Sequence, residues 1–311
     1  MVSFLSVKKC EIGFHTLLIW IFWGGGLIMQ GRAFMDNIFT VVYATSLGRM
    51  VGFGGYCAME YLKKCRTDDG EDTRLTVSWH TGFWWLFAHE GFALSGYVCY
   101  NLLSKRNTGN IALASSLISL SVCLPVLVGR FLLSERLSWV QTGGVFVAIV
   151  SGLLMSVPTS HIPLQLTGGA WAIGALLSFG CAQSIAASFH KSENHIIAHR
   201  LLLIASSTIF ILLSVVSWDT FRFSWNHNMF ILTLAQAMTV CGTPTLIYLS
   251  SLCGAARAST LSAGYTILPV VVGIGFMQNQ INVWSTTGIA LSLLAVCLVS
   301  QERTPTGEGM G

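Results

Sequence analysis

The chain has 311 residues, 53% of them hydrophobic and 10% charged, with a mean hydropathy of +0.66. Seventeen Lys and Arg and thirteen Asp and Glu are too few to coat a water-soluble globule of this length, and so apolar a chain does not stay disordered. The formal net charge of +4 comes with no basic run of the kind that binds nucleic acid, so the composition is that of a polytopic membrane protein.

A spanning helix needs ~20 mostly apolar residues. Ten stretches qualify in chain order: 12–30, 38–61, 79–101, 109–132, 138–157, 167–188, 198–216, 228–250, 257–277 and 282–300. The first follows Lys8 and Lys9, runs through Gly24-Gly25-Gly26, and has no clear small-residue cleavage site, so it reads as a span rather than a removable leader. The strongly hydrophilic loop, residues 63–74, separates the second stretch from the third. Trp79, Trp139, Trp171 and Trp284 fall near segment ends, where an aromatic belt belongs. Six of the nine Cys lie inside apolar stretches without C-x-x-C spacing and read as packing residues.

Ten spans put both termini on one side of the bilayer. With that side cytoplasmic, twelve Lys and Arg fall inside and four outside, and Arg49 lies within the second span. The positive-inside rule therefore places both tails and the 63–74 loop in the cytoplasm.

Residues 110–156 align without a gap onto 254–300, at an offset of 144. Matched positions include Ala114/Ala258, Pro125/Pro269, Gly129/Gly273, Thr142/Thr286 and Gly144/Gly288, and each copy carries L-P-V-x-V-G followed by a turn and a T-x-G helix. The two blocks are the fourth-plus-fifth and ninth-plus-tenth spans, so the repeat unit is five spans. An odd number reverses the second copy in the bilayer, which is the pattern of alternating-access transporters. Pro125, Pro244 and Pro269 interrupt helices and read either as flexing points or as static kinks tolerated by packing.

The block Ala112-Leu113-Ala114-Ser115-Ser116-Leu117, with Pro125, Ser134-Glu135-Arg136-Leu137-Ser138, Gln141 and Gly144, resembles the first-half signature of the drug/metabolite transporter superfamily, EamA type. Trp23-Gly24 and Arg49 resemble its early W-G and Arg, and Ala255-Ala256-Arg257-Ala258-Ser259, Pro269 and Gly288 its second-half signature. The resemblance implies an all-α integral membrane fold of ten helices in two inverted five-helix repeats, 1–157 and 158–311. It implies a central cavity lined mainly by the first, third, fourth, sixth, eighth and ninth spans, and solute transport without ATP. One departure is the turn Gln278-Asn279-Gln280, where the second half of the family usually repeats a Glu; any role of that acidic turn falls to Glu135.

Charged groups inside spans are costly, so the few present are informative. Arg49 and Glu90 are near the middle of the second and third spans and are expected to pair across those helices. Glu90 either neutralises Arg49 or faces the cavity to meet a cationic group or carry a proton. His89 is ~100° away around the same helix. The candidate substrate contacts are Trp23, Glu90, Gln183, Gln236 and Tyr265, with Ser184 and Thr243 as further polar groups; each amide reads equally as a helix–helix hydrogen bond. Trp20, Trp23, Trp84 and Trp85 are deeper than a belt requires, and Trp23 with Trp84 or Trp85 is a candidate aromatic wall. His195 and His199 have i, i+4 spacing without an obvious third metal ligand.

The reading is a secondary transporter of a small organic metabolite, not an enzyme, needing no cofactor or metal. Its partners are a small-molecule substrate, the lipid bilayer and a coupling proton or counter-substrate, in a plasma or inner membrane. Amino acids and amino-acid-derived zwitterions or cations lead. A nucleotide-sugar or organic-phosphate exchanger is the alternative, and would want another cavity cation; Arg257, at a helix end, is the one candidate. A membrane-embedded enzyme or a non-transporting receptor ranks lower, since no nucleophile–base pair or H-E-x-x-H motif is present.

Overall fold

The computed structural model describes residues 2–33, 38–67, 79–106, 114, 115, 118, 120–135, 137–155, 166–191, 197–216, 226–276 and 283–300. Residues 68–74 of the hydrophilic loop, the tail 301–311, Arg136, His195 and Gln278-Asn279-Gln280 lie outside them. Among the described residues every regular element is helical. Helix α1 (Val2–Ile19) continues through a π-helical turn, Trp20–Gly24, into α2 (Gly25–Arg32). Then come α3 (Ile38–Thr67), α4 (Trp79–Arg106), α5 (Cys123–Leu127), α6 (Trp139–Met155) and α7 (Leu166–Ser188). The chain goes on with α8 (Ala198–Val216), α9 (His227–Thr239), α10 (Gly242–Cys253), α11 (Ala255–Ser262), α12 (Ile267–Gly275) and α13 (Val283–Ser300).

Among the described residues, five stretches are long and apolar enough to cross a membrane: Cys10–Arg32, Ile173–Lys191, Ala198–Val215, His227–Cys253 and Ala255–Gly275. Helices α3 and α4, of 30 and 28 residues, are longer, but Arg49 in one and His89-Glu90 in the other lower their apolarity. The core is largely apolar, but large apolar side chains also face outward and several strongly polar ones are interior. Phe14, Leu17, Trp84, Phe131, Phe146, Ile211 and Phe230 are exposed, while Gln30, Arg49, Glu90, Asn101 and Gln236 are buried. Apolar groups facing outward are favourable against lipid and polar groups there are not, so this arrangement supports a membrane-embedded chain.

Helix α3 packs on α8 and α9, α4 on α7 and α8, and α6 on α13. Residues 1–157 and 158–311 therefore interleave rather than stand apart. The close approach of α3 to α9 depends on missing side chains. A Cβ on Gly48 would meet Gln236 Cβ at 2.7 Å, and one on Gly52 would meet the Ala237 carbonyl at 2.6 Å. Small residues at helix contacts let backbones approach where no hydrophobic effect drives association.

Three stretches expected as single spans are broken. The 109–132 stretch, where described, passes from a 3-10 turn (Leu120–Val122) through α5 to a π turn (Val128–Leu132). The 228–250 stretch is α9 and α10 with a turn at Val240-Cys241, and the 257–277 stretch is α11, a 3-10 turn (Ala263–Thr266) and α12. Pro125, Pro244 and Pro269 are each the third residue of the helix that follows the break. The first turn of a helix has no intrahelical acceptor for its N–H groups, so a proline there forfeits nothing. The break is thus placed just before the proline.

The local conformations also recur at the offset of 144. The turn Leu120–Val122 and helix start Cys123 correspond to residues 264–266 and Ile267. Ser138 and Gln141 form a reciprocal capping box before α6: Ser138 N–H donates to Gln141 Oε1 at 3.0 Å and Gln141 N–H to Ser138 Oγ at 3.2 Å.

Candidate functional site

The interior polar centre starts from α3 and α4. Arg49 Nε donates to Glu90 Oε2 at 2.7 Å and its Nη2 to Glu90 Oε1 at 2.6 Å, with both side chains buried. This is the two-point fork of guanidinium on carboxylate, the geometry in which an Arg pair is strongest. The guanidinium carbon also lies 5.7 Å from the Phe53 ring centroid and 5.6 Å from that of Tyr97. The aromatic faces add a cation–π attraction to a charge that has left water.

His89 and Glu90 diverge around α4 as adjacent helical residues must. His89 faces the cavity described below and Glu90 faces Arg49. Their tips nonetheless come together: His89 Nε2 is 3.5 Å from Glu90 Oε1. His89 Nδ1 is 2.8 Å from the Ala182 carbonyl, which can only accept. Nδ1 therefore carries the hydrogen, and Nε2 is the atom that gains or loses a proton beside the carboxylate.

A cavity opens next to this pair. The first helix contributes Trp23 and Leu27, α3 contributes Arg49, and α4 contributes the i, i+4, i+8 stripe His89, Ala93 and Tyr97. Ile118 adds an apolar wall. From the rest of the chain come Phe179, Ala182, Gln183 and Ala186 of α7, Thr243 of α10 and Tyr265. Trp23 meets Tyr265 edge-on at 5.2 Å, and Tyr97 meets Phe179 edge-on at 4.8 Å. Gln183 Nε2 donates to Tyr265 Oη at 3.4 Å. The wall offers one guanidinium, an imidazole, an amide, hydroxyls and four aromatic rings. That set can fix a carboxylate at Arg49, a hydrogen-bonding group at Gln183 or Thr243, and a flat or cationic group on the rings.

Of the residues singled out in the sequence, Trp23, Arg49, His89, Gln183, Thr243 and Tyr265 share this cavity. Glu90 sits behind Arg49 and not among the lining residues. Gln236 is also absent from the lining. Its Nε2 donates to Gln30 Oε1 at 3.0 Å, and Gln30 Nε2 donates to the Tyr97 carbonyl at 2.8 Å. Trp84 and Trp85 are exposed on the outside of α4 and form no aromatic wall. His199 pairs with Glu60. No group of three metal-ligating side chains gathers among the described residues.

Tyr97, Phe179 and Gln30 escaped the sequence reading. The helical period from His89 reaches Tyr97, and the period back from Gln183 reaches Phe179, so two of the three were recoverable.

Glu135 has a separate place. The π turn before it ends with Ser134 at φ 53° and a Glu135 N–H to Gly129 carbonyl bond of 3.0 Å. That turn aims the carboxylate at the start of α11, where Ala255 N–H donates at 2.7 Å and Ala256 N–H at 2.9 Å. Gly254, at φ 87°, is the sole joint between α10 and α11. The Glu135 carboxylate satisfies two orphan donors and complements the positive helix end.

No family model matches the sequence, and no curated protein matches it. The chain is similar to a solved structure described only as "Crystal structure of protein", with a TM-score of 0.61 over 94% of this chain and 98% of that chain, at 13% identity. At that identity the likeness is one of fold alone.

Proposed function

We propose that the protein is a secondary transporter of a small organic metabolite, an EamA-type member of the drug/metabolite transporter superfamily. In this reading ten helices span a plasma or inner membrane as two inverted five-helix repeats, 1–157 and 158–311, with both termini cytoplasmic. The observation that carries the reading is the interior cavity. It is walled from both halves of the chain, one side carrying Arg49, with Glu90 behind it, and the other Gln183, Thr243 and Tyr265. The return of a 3-10 turn and a proline-bearing helix at the offset of 144 supports the repeat. Broken helices at an interior site are the usual construction of transporter binding sites.

Amino acids and related zwitterions are the leading substrates. Their carboxylate meets Arg49, and their ammonium meets the amide, hydroxyl and ring faces. A multiply charged phosphate is less well served, because among the described residues Arg49 is the one permanently charged cation in the cavity lining. The test is a thermal-shift screen of the purified protein against a metabolite library, followed by counterflow of each hit in proteoliposomes. Saturating solute at a hundredfold over its Kd raises stability by about 2.7 kcal/mol. A hit that stabilises and exchanges across the bilayer supports transport. Stabilisation without exchange makes the protein a receptor, and no hit among amino acids or their derivatives removes the substrate class.

A further inference from the structure

A helix break leaves a carbonyl without its partner, and in an apolar surrounding that group needs a donor. At the α9–α10 break, Thr243 N–H bonds to the Val240 carbonyl at 3.2 Å, one residue short of its α-helical partner Thr239. The Thr239 carbonyl accepts Trp23 Nε1 at 3.0 Å. At the α11–α12 break, hydrogen bonding tightens over Ala263–Thr266, and the Leu261 carbonyl accepts Trp20 Nε1 at 2.8 Å. In both places the indole also lies on the glycine three residues after the carbonyl it bonds. A Cβ on Gly242 would run into the Trp23 ring, and one on Gly264 into the Trp20 ring. The two arrangements share a carbonyl and a glycine at the third position after it, and a proline follows two residues after Gly242 and five after Gly264.

The donors come from one place. Trp20 and Trp23 open and nearly close the π turn Trp20–Gly24 of the first helix. The extra residue of a π turn separates the two side chains around the axis more than α geometry does, so each reaches a different helix. Such turns occur mostly as single-turn bulges inside α-helices, frequently at functional sites.

We propose that Trp20 and Trp23 are positioning residues, a matched pair of indole staples that hold the two helix breaks to the first helix. The first helix and both breaks then move as one body, across the boundary that the sequence repeat draws. The staples stand on the hydrogen bonds alone. Their part in opening the cavity rests on the transporter reading above, because Trp23 also lines that cavity.

The test is amide hydrogen exchange on the full chain in detergent micelles, with each Trp replaced in turn by 3-benzothienylalanine. That side chain keeps the bicyclic shape and loses the N–H. The Trp23 replacement should speed exchange across residues 240–246 about fivefold and leave 263–269 unchanged, and the Trp20 replacement should do the opposite. Gly242→Ala and Gly264→Ala, which push each ring off its carbonyl, should reproduce the same break-specific pattern. Trp84→Phe and Trp85→Phe, on the exposed face of α4, should alter neither break. Unchanged exchange at both breaks, or acceleration spread evenly over the chain, overturns the staples. Break-specific acceleration in a protein that exchanges no solute keeps the staples and removes the transporter reading.

Discussion

Arg49 and Glu90 meet as a two-point ion pair, Nε to Oε2 at 2.7 Å and Nη2 to Oε1 at 2.6 Å, deep between α3 and α4. Neither charge has water to fall back on. Removing one partner strands the other, and a stranded buried charge costs ~3–5 kcal/mol. Arg49→Ala and Glu90→Ala should each lower the apparent melting temperature and the monodisperse yield in detergent. The double variant should recover part of both. A double variant as damaged as the sum of the single ones would mean that the pair holds nothing together.

The glycines of α3 supply a second prediction. Gly48 and Gly52 face the α9–α10 segment with no room for a methyl group, whereas Gly13, Gly55 and Gly91 have open space where a methyl group would stand. Gly48→Ala and Gly52→Ala should destabilise by ~1–3 kcal/mol through overpacking. Alanine at the three open positions should be neutral or stabilising by ~0.5–1 kcal/mol, because glycine weakens a helix interior. Thermal unfolding of the five variants side by side decides it; equal effects at all five would remove the close approach.

Much of this organisation was legible in the sequence, and what was not has physical reasons. Helix locations followed from apolar runs, since lipid demands them. The helix ends did not: α3 extends to Thr67 and α4 to Arg106, because a helix carries on into polar residues once its backbone bonds are made. Arg49 and Glu90 stood out because charge is rare inside apolar segments. The division of labour between Gln183 and Gln236 was invisible. Both are amides at similar positions, and only the neighbouring helix decides that one meets a tyrosine at the cavity and the other meets Gln30. Glu135 was noticed as an isolated acid, but its partners are backbone N–H groups 120 and 121 residues later, which no side-chain pattern announces.

That contact leads to a third prediction. Glu135 accepts from Ala255 and Ala256 with both carboxylate oxygens, and its charge opposes the positive end of α11. Glu135→Ala should cost ~0.5–2 kcal/mol, the range for loss of a helix cap. Glu135→Gln keeps one acceptor and should fall between. Hydrogen exchange at 255–258 should rise in the same order. If Glu135→Gln matches the native chain in both measurements, the charge contributes nothing and one acceptor suffices.

The last prediction separates the two roles open to Glu90. Arg49 lines the cavity and Glu90 stands behind it, so under the proposed transport function a solute carboxylate and Glu90 would compete for the same guanidinium. Glu90→Gln leaves an acceptor oxygen in place but removes the competing charge. The empty protein should lose ~1–3 kcal/mol, the worth of a charge-assisted hydrogen bond. A carboxylate-bearing solute should then bind about tenfold more tightly, because charge-assisted contacts to Arg49 are no longer shared. Tighter binding slows release, so counterflow should fall while thermal stabilisation by the same solute grows. Tyr265→Phe, which removes the hydroxyl that Gln183 meets and keeps the ring, should not show this opposition. If Glu90→Gln weakens both binding and counterflow, Glu90 contacts the solute directly or carries a proton. If it changes neither, the ion pair is a strut between α3 and α4 and Arg49 is not the carboxylate's partner.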